Sequence, residues 1–150
     1  MSEEKSIAAI ENEIIEDFSL FDSWDEKYEY IIELGKKLTP LNSIYRTEKH
    51  KVKGCQSTVW LGSEYKDGKV FFEADSDAII VKGLISMLIR ILSGHTPDEI
   101  IDAPLDCIKV IGMSSHLAQT RANGLLAMVK QMKNDALAYK LKNEMNAQHS

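Results

Sequence analysis

The run Tyr65-Lys66-Asp67-Gly68-Lys69-Val70 constrains this chain more than any other segment. Asp-Gly between two alternating runs is a strong short-range hairpin signal, because both residues of a type I′ turn need positive φ and this pair tolerates it. A two-residue turn also sets the register, placing Tyr65 opposite Val70, Ser63 opposite Phe72 and Leu61 opposite Ala74. With Val59, these residues share one face, which must be the buried one. The other face carries Glu64, Lys66, Lys69 and Glu73, with Trp60 and Phe71 as partly exposed exceptions. The hairpin spans about residues 58–75.

Helical periodicity surrounds it. Ile7, Ile10, Ile14 and Phe18 stand at helical spacing over residues 5–18. Ser23-Trp24-Asp25-Glu26 is a capping box opening a second helix, with Tyr28, Ile31, Ile32 and Gly35 inward and a stop after Leu38 at Thr39-Pro40. Residues 40–54 show no periodicity and read as loop, with a short extended piece near Lys51 available as a third strand. Beyond the hairpin, Ile80, Leu84, Met87, Leu88 and Ile91 define a helix that begins at Asp77 and ends at a Gly94 cap. It is apolar nearly all round, as a central helix packed on the sheet should be. Asp75 and Asp77 read as its N-cap residues. Thr96-Pro97-Asp98-Glu99 is a second capping box, opening a short helix that ends near Pro104. A further short element covers residues 105–111. Gln119 or Thr120 then opens a long helix through Leu125, Val129, Met132, Ala136 and Tyr139, expected to fray past Leu141. The order predicts an α+β fold, a small antiparallel sheet covered by helices. With no repeats and no composition break, residues 1–150 read as one domain.

The composition excludes several function classes. With 23 acidic residues against 18 Lys and Arg, the chain lacks the clustered cations that phosphate binding needs, so nucleic acid is not the expected partner. The N-terminal Met1-Ser2-Glu3-Glu4-Lys5 has no apolar segment behind it and reads as neither a secretory signal nor a transit peptide. The most apolar segment, residues 79–92, is broken by Lys82 and Arg90 and is too short to span a bilayer. A soluble, cytoplasmic protein is expected. Its two cysteines, Cys55 and Cys107, form no Cys-x-x-Cys pair and are too few for a four-cysteine metal framework. No metal and no cofactor are expected. In a reducing compartment the two are not expected to form a structural disulfide either.

Thiol chemistry would therefore rest on one cysteine. Cys55 lies in Gly54-Cys55-Gln56-Ser57, just after Arg46, Lys49, His50, Lys51 and Lys53, the densest cationic stretch of the chain. A free thiol is only a few per cent ionised at neutral pH, and nearby cations raise that fraction, weakly where they are exposed. On local chemistry alone two readings stand: a reactive thiol, or an inert, half-buried cysteine beside a solvated basic loop.

Gly54-Cys55-Gln56-Ser57-Thr58-Val59-Trp60 resembles the Gly-Cys-Gln-Ser-x-Val-Trp motif of the SufE family of sulfur acceptors. Further blocks resemble the family in order: Trp24-Asp25-Glu26-Lys27-Tyr28 with Tyr30-Ile31-Ile32-Glu33-Leu34-Gly35, then Asp75-Ser76-Asp77-Ala78, Ile80-Val81-Lys82-Gly83-Leu84, and Arg121-Ala122-Asn123-Gly124-Leu125. The resemblance covers about residues 24–133 and implies a SufE/IscU-like fold. It implies a carrier that takes persulfide sulfur onto Cys55 from a SufS-type, pyridoxal-phosphate cysteine desulfurase, stimulates that enzyme, and passes the sulfur to a Suf-type iron–sulfur scaffold. Such a carrier is a sulfurtransferase-like shuttle rather than a stand-alone catalyst. One thiol suffices, because exchange depends on thiolate fraction, leaving group and access.

The resemblance also bears on other residues. Gly54, Gln56, Ser57, Asp75 and Asp77 are expected at the desulfurase interface. Arg121 is a candidate to steady the Cys55 thiolate or persulfide, the alternative being an arginine paired with surface carboxylates. His116 reads as a structural hydrogen-bonding residue and Cys107 as a buried small hydrophobe. Three rivals remain open: a thiol hydrolase using Cys55 and His116, an iron–sulfur scaffold, and an activator of the desulfurase that accepts no sulfur. Cys55 shares its odd parity with Val59 and Leu61, so extended geometry reaching back through Gln56 would turn it inward and shelter it.

Overall fold

In the computed structural model, which describes residues 5–148, strands β1 (Val59–Lys66) and β2 (Lys69–Ser76) form an antiparallel hairpin. The register is the expected one, with Tyr65 opposite Val70, Ser63 opposite Phe72 and Leu61 opposite Ala74. Asp67 and Gly68 take φ of 54° and 81°, as the turn requires. Val59, Leu61, Val70, Phe72 and Ala74 are buried, while Glu64, Lys66 and Phe71 face solvent. Trp60, on the outer face, is covered by the Arg46 guanidinium, 5.0 Å from its ring centre.

The expected third strand shrinks to one bridge, Lys51 opposite Trp60. The preceding segment satisfies its own N–H groups in two 3-10 turns, Ser43–Tyr45 and Glu48–His50, through Tyr45 N to Asn42 O (3.0 Å) and His50 N to Thr47 O (3.1 Å). Beside that bridge the Val52 N–H donates to Val59 O at 2.8 Å.

Seven helices cover the hairpin: α1 (Ile7–Ser19), α2 (Trp24–Lys36), α3 (Ile79–Leu92), α4 (Pro97–Asp102), α5 (Asp106–Ile111), α6 (Met113–His116) and α7 (Gln119–Gln148) among the described residues. Helix α3 is central, as its apolar circumference required. It packs on α2, β2, α7 and α1, and Leu84, Ile85, Leu88, Ile91 and Leu92 are all buried. Its crossing with α2 is backbone to backbone, because Gly35 and Gly83 face each other: a Cβ on Gly83 would fall 2.0 Å from Ile31 O.

The caps divide into those that follow the local sequence and those that do not. Ser23 Oγ accepts from Glu26 N at 3.2 Å. Thr96 and Glu99 make both bonds of the capping box, at 3.2 and 3.0 Å. Asp75 and Asp77 do not cap α3, whose N-cap is Ala78. Ser76 Oγ takes the Ala78 N–H instead, at 3.2 Å, because partners from other elements claim both carboxylates. Helix α7 does not end near Leu141. It continues to Gln148, with Asn143 Nδ2 donating to the Tyr65 hydroxyl and Tyr139 Oη donating to Ser63 O at 3.0 Å. The hairpin thus holds a helix end that its polar sequence alone would leave to fray. No helix among the described residues is long and apolar enough to cross a membrane.

Candidate functional site

Cys55 sits on a five-residue loop, 53–57, clamped at both ends. The upstream clamp is Val52, buried and bonded to Val59. The downstream clamp is Thr58, whose N–H donates to Asp77 Oδ1 at 3.1 Å and whose carbonyl accepts from Ser76 Oγ at 2.8 Å. Gly54 takes φ of +92°, a left-handed turn that a side chain would resist. Extended structure begins only at Val59, so strand parity does not set the direction of Cys55. The thiol is half-buried because the turn lays it on α7, where it points at Gly124 O, 3.7 Å away.

Beneath the loop, α3 and α7 diverge around a cavity of about 300 Å³ with Cys55 in its wall. Its floor is aliphatic: Val81, Leu84, Ile85 and Leu88 from α3, Leu125 and Met128 from α7. Gln56, Ser57, Thr120 and Arg121 supply its polar margin, and three of these four are exposed.

Burial pushes the Cys55 thiol above its ordinary pKa, against the expectation from the basic loop. Two cations of that segment are engaged elsewhere. Arg46 pairs with Asp75 and stacks on Trp60, and Lys51 pairs with Glu48. Cys107 is fully buried and pushed up to about 12, by burial first and then by the hydrogen bond and charge of Glu11. The order of reactivity follows. Iodoacetamide should label Cys55 alone in the folded protein, more slowly than a free peptide thiol at neutral pH. The rate should climb with pH to a midpoint above the ordinary thiol value, because a raised pKa delays formation of the thiolate. Cys107 should label only after denaturation. Labelling followed by peptide mapping checks this, and Cys107 reacting first would contradict it.

The structure gathers some of the residues singled out from sequence and scatters others. Gln56, Ser57 and Arg121 join Cys55 around the cavity, and Gly54 rests on Ala127, whose Cβ lies 3.4 Å from where a Gly54 Cβ would be. Arg121 is exposed on the first turn of α7 and makes no ion pair among the described residues. Asp77 holds the downstream clamp. Asp75 lies further along, paired with Arg46 and, at 3.4 Å, with Lys82. Burial alone would raise its carboxyl, but the Arg46 and Ser76 hydrogen bonds with Lys82 nearby hold it below its ordinary value.

His116 lies outside the cavity wall. Its ring stacks on Trp24 at 4.5 Å, and its carbonyl accepts from the Tyr28 hydroxyl at 2.8 Å. The structural part therefore runs through the ring stack and the backbone, and no Cys55–His116 dyad is assembled. Among the described residues, no three His, Cys, Asp or Glu side chains stand close enough to share a metal ion. Sequence reasoning did not assign the cavity floor or Gly124. The available signal was a glycine inside a helical pattern, which often marks a close approach.

A helix-covered hairpin with one half-buried thiol on its entry loop defines an α+β protein built around a sheltered cysteine. The same fold occurs in a hypothetical protein from Thermus thermophilus known from its solution structure, with a TM-score of 0.72 at 19% identity over 86% of this chain and 94% of that one. The sequence model of the SufE family, described as an Fe-S metabolism associated domain, matches residues 12–136. An uncharacterized SufE-like protein of Rhizobium meliloti (strain 1021) is 43% identical over 131 residues, covering 83% of this chain and 93% of its own. The SufE-like protein 1, chloroplastic/mitochondrial, of Arabidopsis thaliana is 38% identical over 133 residues, covering 88% of this chain and 36% of its own. The chain belongs to the SufE family, which is associated with iron–sulfur metabolism.

Proposed function

We propose that this protein is a cytoplasmic sulfur carrier that takes persulfide sulfur onto Cys55 from a pyridoxal-phosphate cysteine desulfurase and delivers it to an iron–sulfur cluster scaffold. In uptake, the Cys55 thiolate attacks the outer sulfur of the donor persulfide. A new sulfur–sulfur bond forms, the donor's sulfur–sulfur bond breaks, and the donor thiolate leaves with the electron pair. Delivery repeats the exchange with the acceptor's thiolate. The observation that carries the reading is the contrast between the two thiols. Cys55 lies half-buried on a loop at the mouth of a cavity, whereas Cys107 is fully buried.

The loop suits a thiol that must be sheltered and then presented. Between the two clamps the loop meets α7 at two small residues, Gly124 and Ala127. At rest, burial keeps the thiol protonated and away from solvent oxidants. Lifting the loop exposes it and restores its acidity.

Mixing the protein with a cysteine desulfurase and cysteine, followed by mass-spectrometric peptide mapping, tests the assignment. A sulfur atom gained on the Cys55 peptide is expected. Gain on Cys107, or none, would defeat it. Arg121 stands beside the exchange, its charge unpaired among the described residues. Arg121→Ala should slow uptake roughly two- to five-fold, the range for losing about 0.5–1 kcal/mol of exposed charge interaction. An unchanged single-turnover rate would remove Arg121 from the mechanism.

A further inference from the structure

The cationic stretch before Cys55 has partners for only part of its charge. Arg46 and Lys51 are paired, but Lys49 and Lys53 are exposed and make no ion pair among the described residues. With His50 and Lys51 they line a groove of about 470 Å³. Its opposite wall is α7, through Gln131, Asp135 and Tyr139 on successive turns of one helix face. The same face passes under the reactive loop, where Gly54 rests on Ala127. The groove therefore begins at the Cys55 loop, and it shares no lining residue with the aliphatic cavity.

Its charge changes along its length. Beside the loop the cations hold the rim, while Asp135 lies half-buried and accepts from Gln131 Nε2 at 2.9 Å. Past Ser63 and Tyr139, which line both parts, the groove carries Glu64 and Glu73 against one cation, Lys142. Burial, then the charges of Glu73 and Glu64, hold the Tyr45 phenol there above its ordinary pKa. The groove is thus positive beside the thiol and negative at its far end, in a chain of net charge -5. From Ala127 to Asn146, α7 rises roughly 28 Å, the span of about eight extended residues.

We propose that this groove docks an extended segment of the protein that exchanges sulfur with Cys55, a segment acidic beside its own cysteine and basic further along. The inference rests on the carrier reading and adds how the partner's thiol is brought to this one. Carboxylates of the segment meet Lys49 and Lys53, its cations meet Glu64 and Glu73, and its cysteine is left at Cys55. Asp135 and the far carboxylates repel a uniform polyanion, so the groove fits a polypeptide of mixed charge and not a nucleic acid. Charges at an exposed rim act on encounter more than on affinity, so the effect is read as a rate.

Two synthetic peptides of identical composition test this without a partner protein. Each carries a cysteine activated as its pyridyl disulfide. One places glutamates beside that cysteine and lysines beyond them, and the other reverses the order. Both are made with the cysteine at either terminus, because the groove accepts a chain in either direction. The Cys55 thiolate attacks the peptide sulfur, a mixed disulfide forms, and pyridinethiolate leaves with the electron pair. Second-order rate constants are measured by intact mass, each divided by the rate of the same peptide with 2-mercaptoethanol. In at least one direction the glutamate-first peptide should react roughly tenfold faster than its isomer at low salt, the lower end of electrostatic steering. The advantage should vanish near ~1 M salt, where screening acts within about 3 Å. Isomers that react equally at low salt, or a faster lysine-first peptide, overturn the proposal. The double variant Lys49→Gln/Lys53→Gln should bring the isomers level, and an advantage that survives it comes from cations outside the groove and also overturns it. Excess oligothymidine should leave the wild-type advantage in place; its loss would make the groove a nucleic-acid site. Sulfur uptake from a desulfurase is read separately. Level isomers with uptake intact remove the docking groove and leave the carrier, and a clear advantage without uptake supports the groove and removes the carrier.

Discussion

Cys55→Ser is expected to abolish sulfur uptake and return desulfurase turnover to its rate without the carrier. A serine hydroxyl has the shape of the thiol but cannot form a persulfide, so the substitution removes the chemistry and keeps the site. The fold should survive. Cys55 is half-buried on a loop, and the polar contact of its thiol among the described residues is a weak interaction of 3.7 Å with Gly124 O. A change of this kind, away from the core, should alter stability by no more than about 1 kcal/mol. Intact mass after incubation with desulfurase and cysteine, together with a thermal melt, measures both effects. Full stimulation of the desulfurase by the serine variant would replace the carrier reading with that of a non-accepting activator.

Gly83→Ala should produce the largest loss of stability from a single methyl group. Elsewhere in a helix this change gains about 1 kcal/mol, since alanine is the better helix former. At Gly83 the new Cβ would sit 2.0 Å from Ile31 O and 2.5 Å from Ile31 Cγ2. The nearest obstacle is backbone and cannot rotate away, so α2 must separate from α3. A net cost of about 3 kcal/mol is expected, at the upper end for overpacking. For a chain of this length that lowers the melting temperature by roughly 6–12 °C. Gly124→Ala is the control, because its Cβ would meet Cys55 Sγ at an ordinary 3.7 Å. It should melt at or slightly above the parent temperature. A Gly83→Ala protein that does the same would mean the helices cross less closely than this.

The features legible in the sequence are those with local causes. The hairpin register follows from Asp67-Gly68 and the alternation around it, and it holds at every pair named. Thr96 and Glu99 cap the short helix because both partners lie within one turn. Cys55 could be singled out because its neighbours form a recognisable motif, and Gly54 turns there as a glycine can.

Most of the departures arise from partners distant in sequence. Asp75 and Asp77 have the right side chains for helix caps, but Arg46 and the Thr58 N–H, distant in sequence, compete for them and win. The basic residues before Cys55 are near it along the chain, yet Arg46 and Lys51 are spent on carboxylates and an indole ring. The polar end of α7 stays helical because Tyr65 and Ser63 on the hairpin meet it.

The sequence by itself determined the strand register, the order of the hairpin and its main helices, and the motif that singles out Cys55. Only the tertiary structure decided the environment of that thiol. Cys55 meets Gly124 across 69 residues of chain, over a floor supplied by two helices that no local pattern brings together. Burial depends on surfaces joined from far apart, so the raised pKa and the aliphatic cavity of Cys55 belong to the folded molecule.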